Sequence, residues 1–405
     1  MPIEKIQRRN NVPFIYARGT HYDVGFDIGT TFRHMIQSYL EAHGPLNKIY
    51  LPLWETAEGK KAYESTLEVV KKNFPQYLEE IRGTAEGADV PFHKLFLLHM
   101  DEILSCSVEN KTSENENGCS TICCNYKDEV FLAHNEDALA ETHNHFYFVS
   151  AHIIEKEPMG RWKVKEEKFT SLCYAGTLPG FTMSYNHHGL VFSVNVIRAK
   201  NMQAGKTRRS TNYIDNKYEG FISVVQMPLL LPARTILTRA LLAASTVQQV
   251  EDILKDNGCG IGDGVNINFI FPKGESPKLF YNAEVGPSKG PGAGSLVDIV
   301  AIGPGEKLYH CNRYLRLQCK EAEDILFIGS KHREAVMNFV PMPKSCKEAL
   351  KILADETDKE YPVFRNKGKT QTIATGIFNL NKLTWTIFTD NPVTNAPILE
   401  LPIFI

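Results

Sequence analysis

The sequence predicts an α+β fold in which helices and strands come in separate blocks. Three observations carry that expectation. Apolar residues recur at helical spacing through most of the first hundred residues. Beyond residue 119, β-branched and aromatic runs bounded by turn residues take over. Farther on, helical and strand-like segments again arrive in groups, which favours stacked α and β layers over a regular βαβ succession. At 405 residues the chain can bury a large core, as two domains or as one large unit.

Taken in order, Thr20 to Leu40 places Val24, Ile28, Phe32, Met35, Ile36, Tyr39 and Leu40 on one helical face. Gly25 and Gly29 lie one turn apart on that helix and predict close contact with another element. Tyr63 to Val70 reads as a second helix, Pro75 opens a third, and His93 to Leu104 is helical by periodicity. Ser107 to Gly118 is polar or glycine at eleven of twelve positions, the signature of a solvent-facing loop that tolerates cutting. Strands are expected at 119–124, 129–134 and 146–154, with a hairpin over 181–197 turning at Asn186 to Gly189. Helices follow at 233–244 and 246–257, the second opened by Thr246 and Gln249 as a capping box. Strands at 265–271, 278–284 and 296–301 precede short helices near 329–340 and 344–355. Two strands, 370–379 and 382–389, close the chain.

The bulk composition excludes several classes. With 45 basic against 47 acidic residues, no broad surface for nucleic acid or anionic lipid is indicated. The first residues lack the apolar stretch of a secretory signal. The greasiest region, 221–244, is broken by Gln226, Pro228, Pro232, Arg234 and Arg239 and reads as no membrane span. Nine cysteines, an odd number scattered over a long chain, do not form a secreted disulfide framework. A cytoplasmic protein is the expectation.

The chemically suggestive point is Cys119, which follows the polar loop and Gly118 and begins a strand. If the Gly118–Cys119 bond were cut, one residue would carry both a thiol and an α-amine. An α-amine titrates at about 7.7–8.0, close enough to neutrality to act as a base toward its own thiol. The common fate of such a cysteine is simple burial. His134-Asn-Glu-Asp137 reads as the end of an apolar strand, where Asp137 could hold the ammonium and Asn135 could donate to an oxyanion. A self-bonded strand-end turn is the more ordinary outcome there. Cys119, Cys123 and Cys124 do not converge as metal ligands, because 124 faces away from 119 and 123 on a strand. Gly258 to Gly264 lacks the lysine and serine of a phosphate loop and leads into a strand rather than a helix. Asn266 and Asn268 share one face of the following strand and need partners in a cleft or core.

Asn117-Gly-Cys-Ser-Thr121 and Ala133-His-Asn-Glu-Asp137, with weaker echoes at Asn266-Ile-Asn268 and Tyr309-His-Cys-Asn-Arg-Tyr314, resemble the acyl-CoA:6-aminopenicillanate acyltransferase family. That family is a branch of the N-terminal-nucleophile hydrolases. Longer runs resemble the β-alanyl-amine hydrolases within it, among them Arg18 to Tyr22, Phe92 to Glu102, His145 to Val149 and Asn312 to Leu317. The resemblance implies a four-layer αββα sandwich and a precursor that cuts itself into chains 1–118 and 119–405, which stay associated as one globular unit. It implies Cys119 as nucleophile, Asp137 near its α-amine, and an oxyanion role for Asn268, with Asn266 as the neighbouring candidate. Arg313 is the candidate for the family's basic residue, although Tyr309-His-Cys-Asn-Arg departs from the family pattern.

The implied substrates are small β-alanyl amines, N-β-alanyl-dopamine and carcinine (β-alanyl-histamine), with no metal or organic cofactor. Glu136 and Glu284 are candidates for the substrate ammonium, and Tyr147 and Tyr174 for the catechol. Two other readings remain at this point: a transferase of the same fold, and a non-catalytic interaction protein with Cys119 in its core. Higher oligomers are left open.

Overall fold

The computed structural model describes residues 8, 10–101, 104, 118–126, 128–199, 233–273, 279–288 and 293–405. Most of the polar loop before Gly118 and the first half of the apolar stretch 221–244 lie outside them.

The predicted first helix is two. Helix α1 (His21–Thr31) is opened by a capping box between Thr20 and Asp23, and α2 (Arg33–Ala42) follows after a break at Phe32. Phe32 leaves helical geometry where its ring stacks on Tyr147 at 4.0 Å, so tertiary packing interrupts a continuous periodic pattern. A π-turn (Leu46–Tyr50) leads into α3 (Leu51–Glu55), α4 (Ala57–Asn73), α5 (Pro75–Ala88) and α6 (Phe92–Leu98). The expectation from Gly25 and Gly29 is met. Added methyls there would run into the backbone of Glu80 and Thr84, and methyls at Gly83 and Gly87 into that of Tyr22 and Phe26. Helices α1 and α5 therefore cross with their backbones in contact, which glycine alone permits.

One sheet has eight strands. Strand β1 (Phe14–Gly19) pairs parallel to β4 (Phe146–Met159). The order then runs through β5 (Val164–Tyr174), β6 (Ser184–Asn186), β7 (Val191–Ile197), β8 (Gly264–Ile270), β9 (Phe280–Gly286) and β10 (Leu296–Ile302). The second sheet, of six, runs β11 (Lys307–His310), β2 (Ser120–Asn125), β3 (Val130–Leu139), β12 (Thr370–Asn379), β13 (Thr384–Phe388) and β14 (Leu399–Pro402).

The first sheet is covered on its outer face by α1–α6, α7 (Arg234–Leu241) and α8 (Val247–Lys255) through one large apolar cluster. The second is covered by α9 (Ile325–Phe339) and α10 (Cys346–Leu353) through a smaller one. Between the sheets lies a third cluster that includes Leu132, Phe148, Val191 and Trp385. The architecture is thus the four-layer αββα sandwich. At α8, Thr246 accepts from the Gln249 amide as expected, but the Gln249 side chain accepts from Ser245 instead. Among the described residues, no helix is long and apolar enough to cross a membrane.

Candidate active site

Strand alternation places the site. Strands β2 and β3 pair antiparallel, with Ser120 opposite Asn135 and Thr121 opposite His134. Leu132 and Ala138 face the other sheet, so His134 and Glu136 between them do too. Phe131 and Ala133 face the helices, as do Asn135 and Asp137. His134-Asn-Glu-Asp137 is therefore not a strand end: β3 continues to Leu139. A bulge on β12 between Thr372 and Ala374 lies opposite Glu136 and Asp137 and keeps the strands paired through this stretch.

Toward the inner side, the Cys119 sulfur lies 4.0 Å from Glu136 Oε1 and 3.9 Å from the Asp137 carbonyl oxygen. The Tyr174 hydroxyl donates to Glu136 Oε1, and His134 Nε2 is 3.2 Å from Oε2. A buried polar chain leads away from this point. His134 Nδ1 is 2.7 Å from the Thr121 hydroxyl, which donates to Asn195 Oδ1 at 2.9 Å. Asn268 Nδ2 donates to the same oxygen at 2.9 Å, and Asn282 Nδ2 donates to Asn268 Oδ1 at 2.8 Å. Arg316 closes the chain on Asn282 Oδ1 at 2.7 Å. The space between the sheets is thus apolar at one end and lined at the other with amides and hydroxyls that are hydrogen-bonded to one another, Asn266 Oδ1 being an exception.

Toward the outer side, Arg333 of α9 is fully buried against the Gly118–Cys119 peptide. Its Nη1 donates to the Gly118 carbonyl at 2.5 Å, the Cys119 carbonyl at 2.6 Å and Ser120 Oγ at 2.9 Å. Its Nη2 is held by Asn312 Oδ1 at 2.9 Å. Asp137 Oδ1 accepts from Thr372 at 2.7 Å, whereas Oδ2 is buried with no hydrogen-bond partner among the described residues and lies 3.9 Å from Arg365 Nε.

The electrostatics follow from burial. Cys119 is 4% exposed. Burial drives its thiol well above the ordinary range, and Glu136 and Asp137 add to this. The Asp137 carboxyl is raised to about 6, again mainly by burial, with Arg365 and Arg333 opposing. Tyr174 is likewise pushed up by burial and by Glu136. In the intact chain the sulfur is consequently a neutral thiol that needs a base to become nucleophilic.

The other sequence candidates are dispersed. Asn135 donates to the Leu353 and Val363 carbonyls and accepts from Thr375, so it braces the helical layer and has no amide hydrogen to offer an oxyanion. Tyr147 packs on Phe32 and accepts from the Gly176 amide, on the face of its sheet away from Cys119. Arg313 pairs with Glu334 and is 29% exposed, while Arg333 occupies the place beside Cys119. Glu284 is taken up by His310 at 3.1 Å and by the amides of residues 315–317. Burial would raise its carboxyl, but these partners hold it down to about 2. Asn266 donates to the Ala283 carbonyl and leaves Oδ1 unpartnered.

Arg333, His134, Thr121 and Asn195 were missed. A signal existed for Asn195, since Ser193 and Asn195 alternate with valine and phenylalanine just as Asn266 and Asn268 alternate with apolar residues. Cys123 joins the apolar cluster between the sheets and Cys124 the outer one, consistent with alternation. A different trio, Cys119, His134 and Glu136, brings three ligand atoms within 4.8 Å of one another. Such a group can receive a cation, either a metal ion or an ammonium.

A buried cysteine behind a glycine, its peptide gripped by an arginine, thus lies in the αββα sandwich. The family model for acyl-coenzyme A:6-aminopenicillanic acid acyl-transferase matches residues 124–211 and 233–394, and the chain belongs to that family. It is also similar to beta-alanyl-dopamine/carcinine hydrolase of Drosophila melanogaster, with 42% identity over 404 residues and 98% of each chain covered. Among solved structures, it resembles two single-residue variants of conjugated bile acid hydrolase from Clostridium perfringens. Identities are 11% and 13% and TM-scores 0.38 and 0.37, with 70% of this chain and 92% of the other covered in each case. At that TM-score the assignment rests on the family and the fly relative alone.

Proposed function

We propose that this chain is a self-cleaving cysteine amide hydrolase that splits N-β-alanyl-dopamine into β-alanine and dopamine, and carcinine into β-alanine and histamine. Similarity along nearly the whole chain to a hydrolase of those two amides carries the reading. The grip of Arg333 on the Gly118–Cys119 peptide supports the self-cleavage step. In this reading it works in the cytoplasm.

The intact chain is the precursor. The Cys119 sulfur attacks the Gly118 carbonyl carbon, whose oxygen Arg333 Nη1 already polarises. The carbon–nitrogen bond breaks, the proton moves to the departing nitrogen, and a thioester links Gly118 to the sulfur. Water then hydrolyses it, leaving a carboxylate on residue 118 and both thiol and α-amine on Cys119. The unpartnered Asp137 Oδ2 is the acceptor for the new ammonium.

In turnover the neutral α-amine takes the thiol proton and the sulfur attacks the substrate carbonyl. Asn268 is the candidate for the oxyanion. Its Nδ2 donates to Asn195 Oδ1 at 2.9 Å and to Ser193 Oγ at 3.5 Å in the intact chain, so it serves the oxyanion by releasing the weaker of these acceptors. Collapse expels dopamine or histamine with the proton held by the amine, and water releases β-alanine from the thioester.

The test is direct. Purified wild-type protein separates on a denaturing gel into pieces of 118 and 287 residues (405 − 118), the larger beginning Cys-Ser-Thr-Ile. Cys119→Ala leaves one unbroken chain without amidase activity. An uncut wild-type chain that still hydrolyses these amides would refute the mechanism.

A further inference from the structure

We infer that Glu136, presented by Tyr174 and His134, is the receptor for the substrate's β-alanyl ammonium and sets the length of acyl chain the enzyme accepts. The inference rests on the proposed amide hydrolysis at Cys119 and adds the determinant of its acyl specificity.

Glu136 is a carboxylate only 3% exposed. Its one ion-pair partner among the described residues is His134, which carries charge only when protonated; no lysine or arginine there neutralises it. Burying a carboxylate without a permanent counter-charge is unfavourable, and an incoming cation removes that penalty. Glu284 shows the alternative: three backbone amides, His310 and Arg316 saturate it, so it has nothing left for a ligand. Asp137 faces the opposite side of the sheet, accepts from Thr372, and in the proposed reaction is reserved for the enzyme's own amine.

The separation fits the acyl group. Glu136 Oε1 is 4.0 Å from the Cys119 sulfur. With bonds of about 1.5 Å, two methylenes hold the β-alanyl nitrogen within about 4 Å of the carbonyl carbon bonded to that sulfur. A charge-assisted hydrogen bond of about 2.7–2.9 Å then reaches Glu136 without strain. A glycyl nitrogen lies one bond nearer the carbonyl carbon and a γ-aminobutyryl nitrogen one bond farther, so the three acyl groups present their charge differently to a fixed carboxylate. Because Tyr174 and His134 hold both carboxylate oxygens, the side chain cannot swing to follow either.

The experiment compares N-β-alanyl-dopamine with N-butanoyl-dopamine, in which a methyl replaces the ammonium, on self-cleaved wild-type and Glu136→Gln enzymes. The β-alanyl-to-butanoyl ratio of kcat/KM is expected to fall at least 100-fold in Glu136→Gln; an unchanged ratio overturns the assignment. Should the variant remain uncut, wild-type enzyme decides with glycyl-, β-alanyl- and γ-aminobutyryl-dopamine. A preference of at least tenfold for β-alanyl over both neighbours and over butanoyl supports the receptor, and equal rates overturn it. Self-cleaved wild-type protein inactive on every β-alanyl amide sinks the hydrolase reading, and this inference with it. Activity on those amides with an unchanged ratio removes only the role of Glu136.

Discussion

At Cys119, two faces of one strand pair do different work. The sulfur points inward to Glu136, while the peptide that precedes it is held from the outside by Arg333. A methyl at Gly118 would sit 2.7 Å from Arg333 Nη2. Gly118→Ala should therefore displace the guanidinium and slow self-cleavage at least tenfold, read as the fraction of uncut chain over time on a gel. Arg333→Ala should do the same by removing the donor; prompt cutting in both variants would dismiss Arg333 from that step.

Asp137 makes a pH prediction. Burial raises its carboxyl to about 6 in the folded chain, above its value of about 3.8 when unfolded. The ionised form therefore destabilises the uncut fold above pH 6, and the penalty is relieved as pH falls from 6 toward 4. In uncut Cys119→Ala protein, Asp137→Asn should raise the unfolding temperature at about pH 7.5 and lose that advantage near pH 4. Identical differences at both pH values would show that Asp137 is not perturbed. None of this residue-level detail was legible beyond Cys119, Glu136 and Asp137 themselves. Arg333 lies more than two hundred positions from the peptide it grips, and no local pattern marks it.

At the scale of elements, α1 and α5 cross with their backbones in contact, locked by four glycines on two facing ridges. Gly87→Ala would push a methyl into the Phe26 carbonyl and should destabilise the fold by about 1–3 kcal/mol, as overpacking does. Denaturant unfolding measures this, and a change under about 0.5 kcal/mol would mean that the helices part easily. Beside the crossing, Arg239 joins Glu80 and Glu167 in a fully buried ion network. Burial alone would raise Glu80, but Arg239 and His21 hold it down to about 2. Most helices and strands were legible because period and turn chemistry are local. The break at Phe32 and the extension of β3 through His134-Asn-Glu-Asp137 were not, because each is imposed by what packs against it.

At the scale of the molecule, the part before Cys119 is built into the part after it. Strand β1 is hydrogen-bonded to β4 inside the eight-stranded sheet, and α1 to α6 cover that sheet. The two pieces made by cutting should hence co-elute as one particle in native chromatography and separate only in denaturant. Spontaneous dissociation after cleavage would contradict that interleaving.

The sequence by itself determined the segregated α+β pattern, the glycine contact on the first helix and the exceptional position of Cys119, since each is written in neighbouring residues. It could not show that Glu136 is the carboxylate that meets the sulfur. That contact depends on the pleat of β3, which turns Glu136 inward and Asp137 outward, and on the bulge in β12 opposite them. Tertiary structure also decided the partners of the buried amides, because a side chain's charge and hydrogen bonds are settled by groups the fold brings from far along the chain.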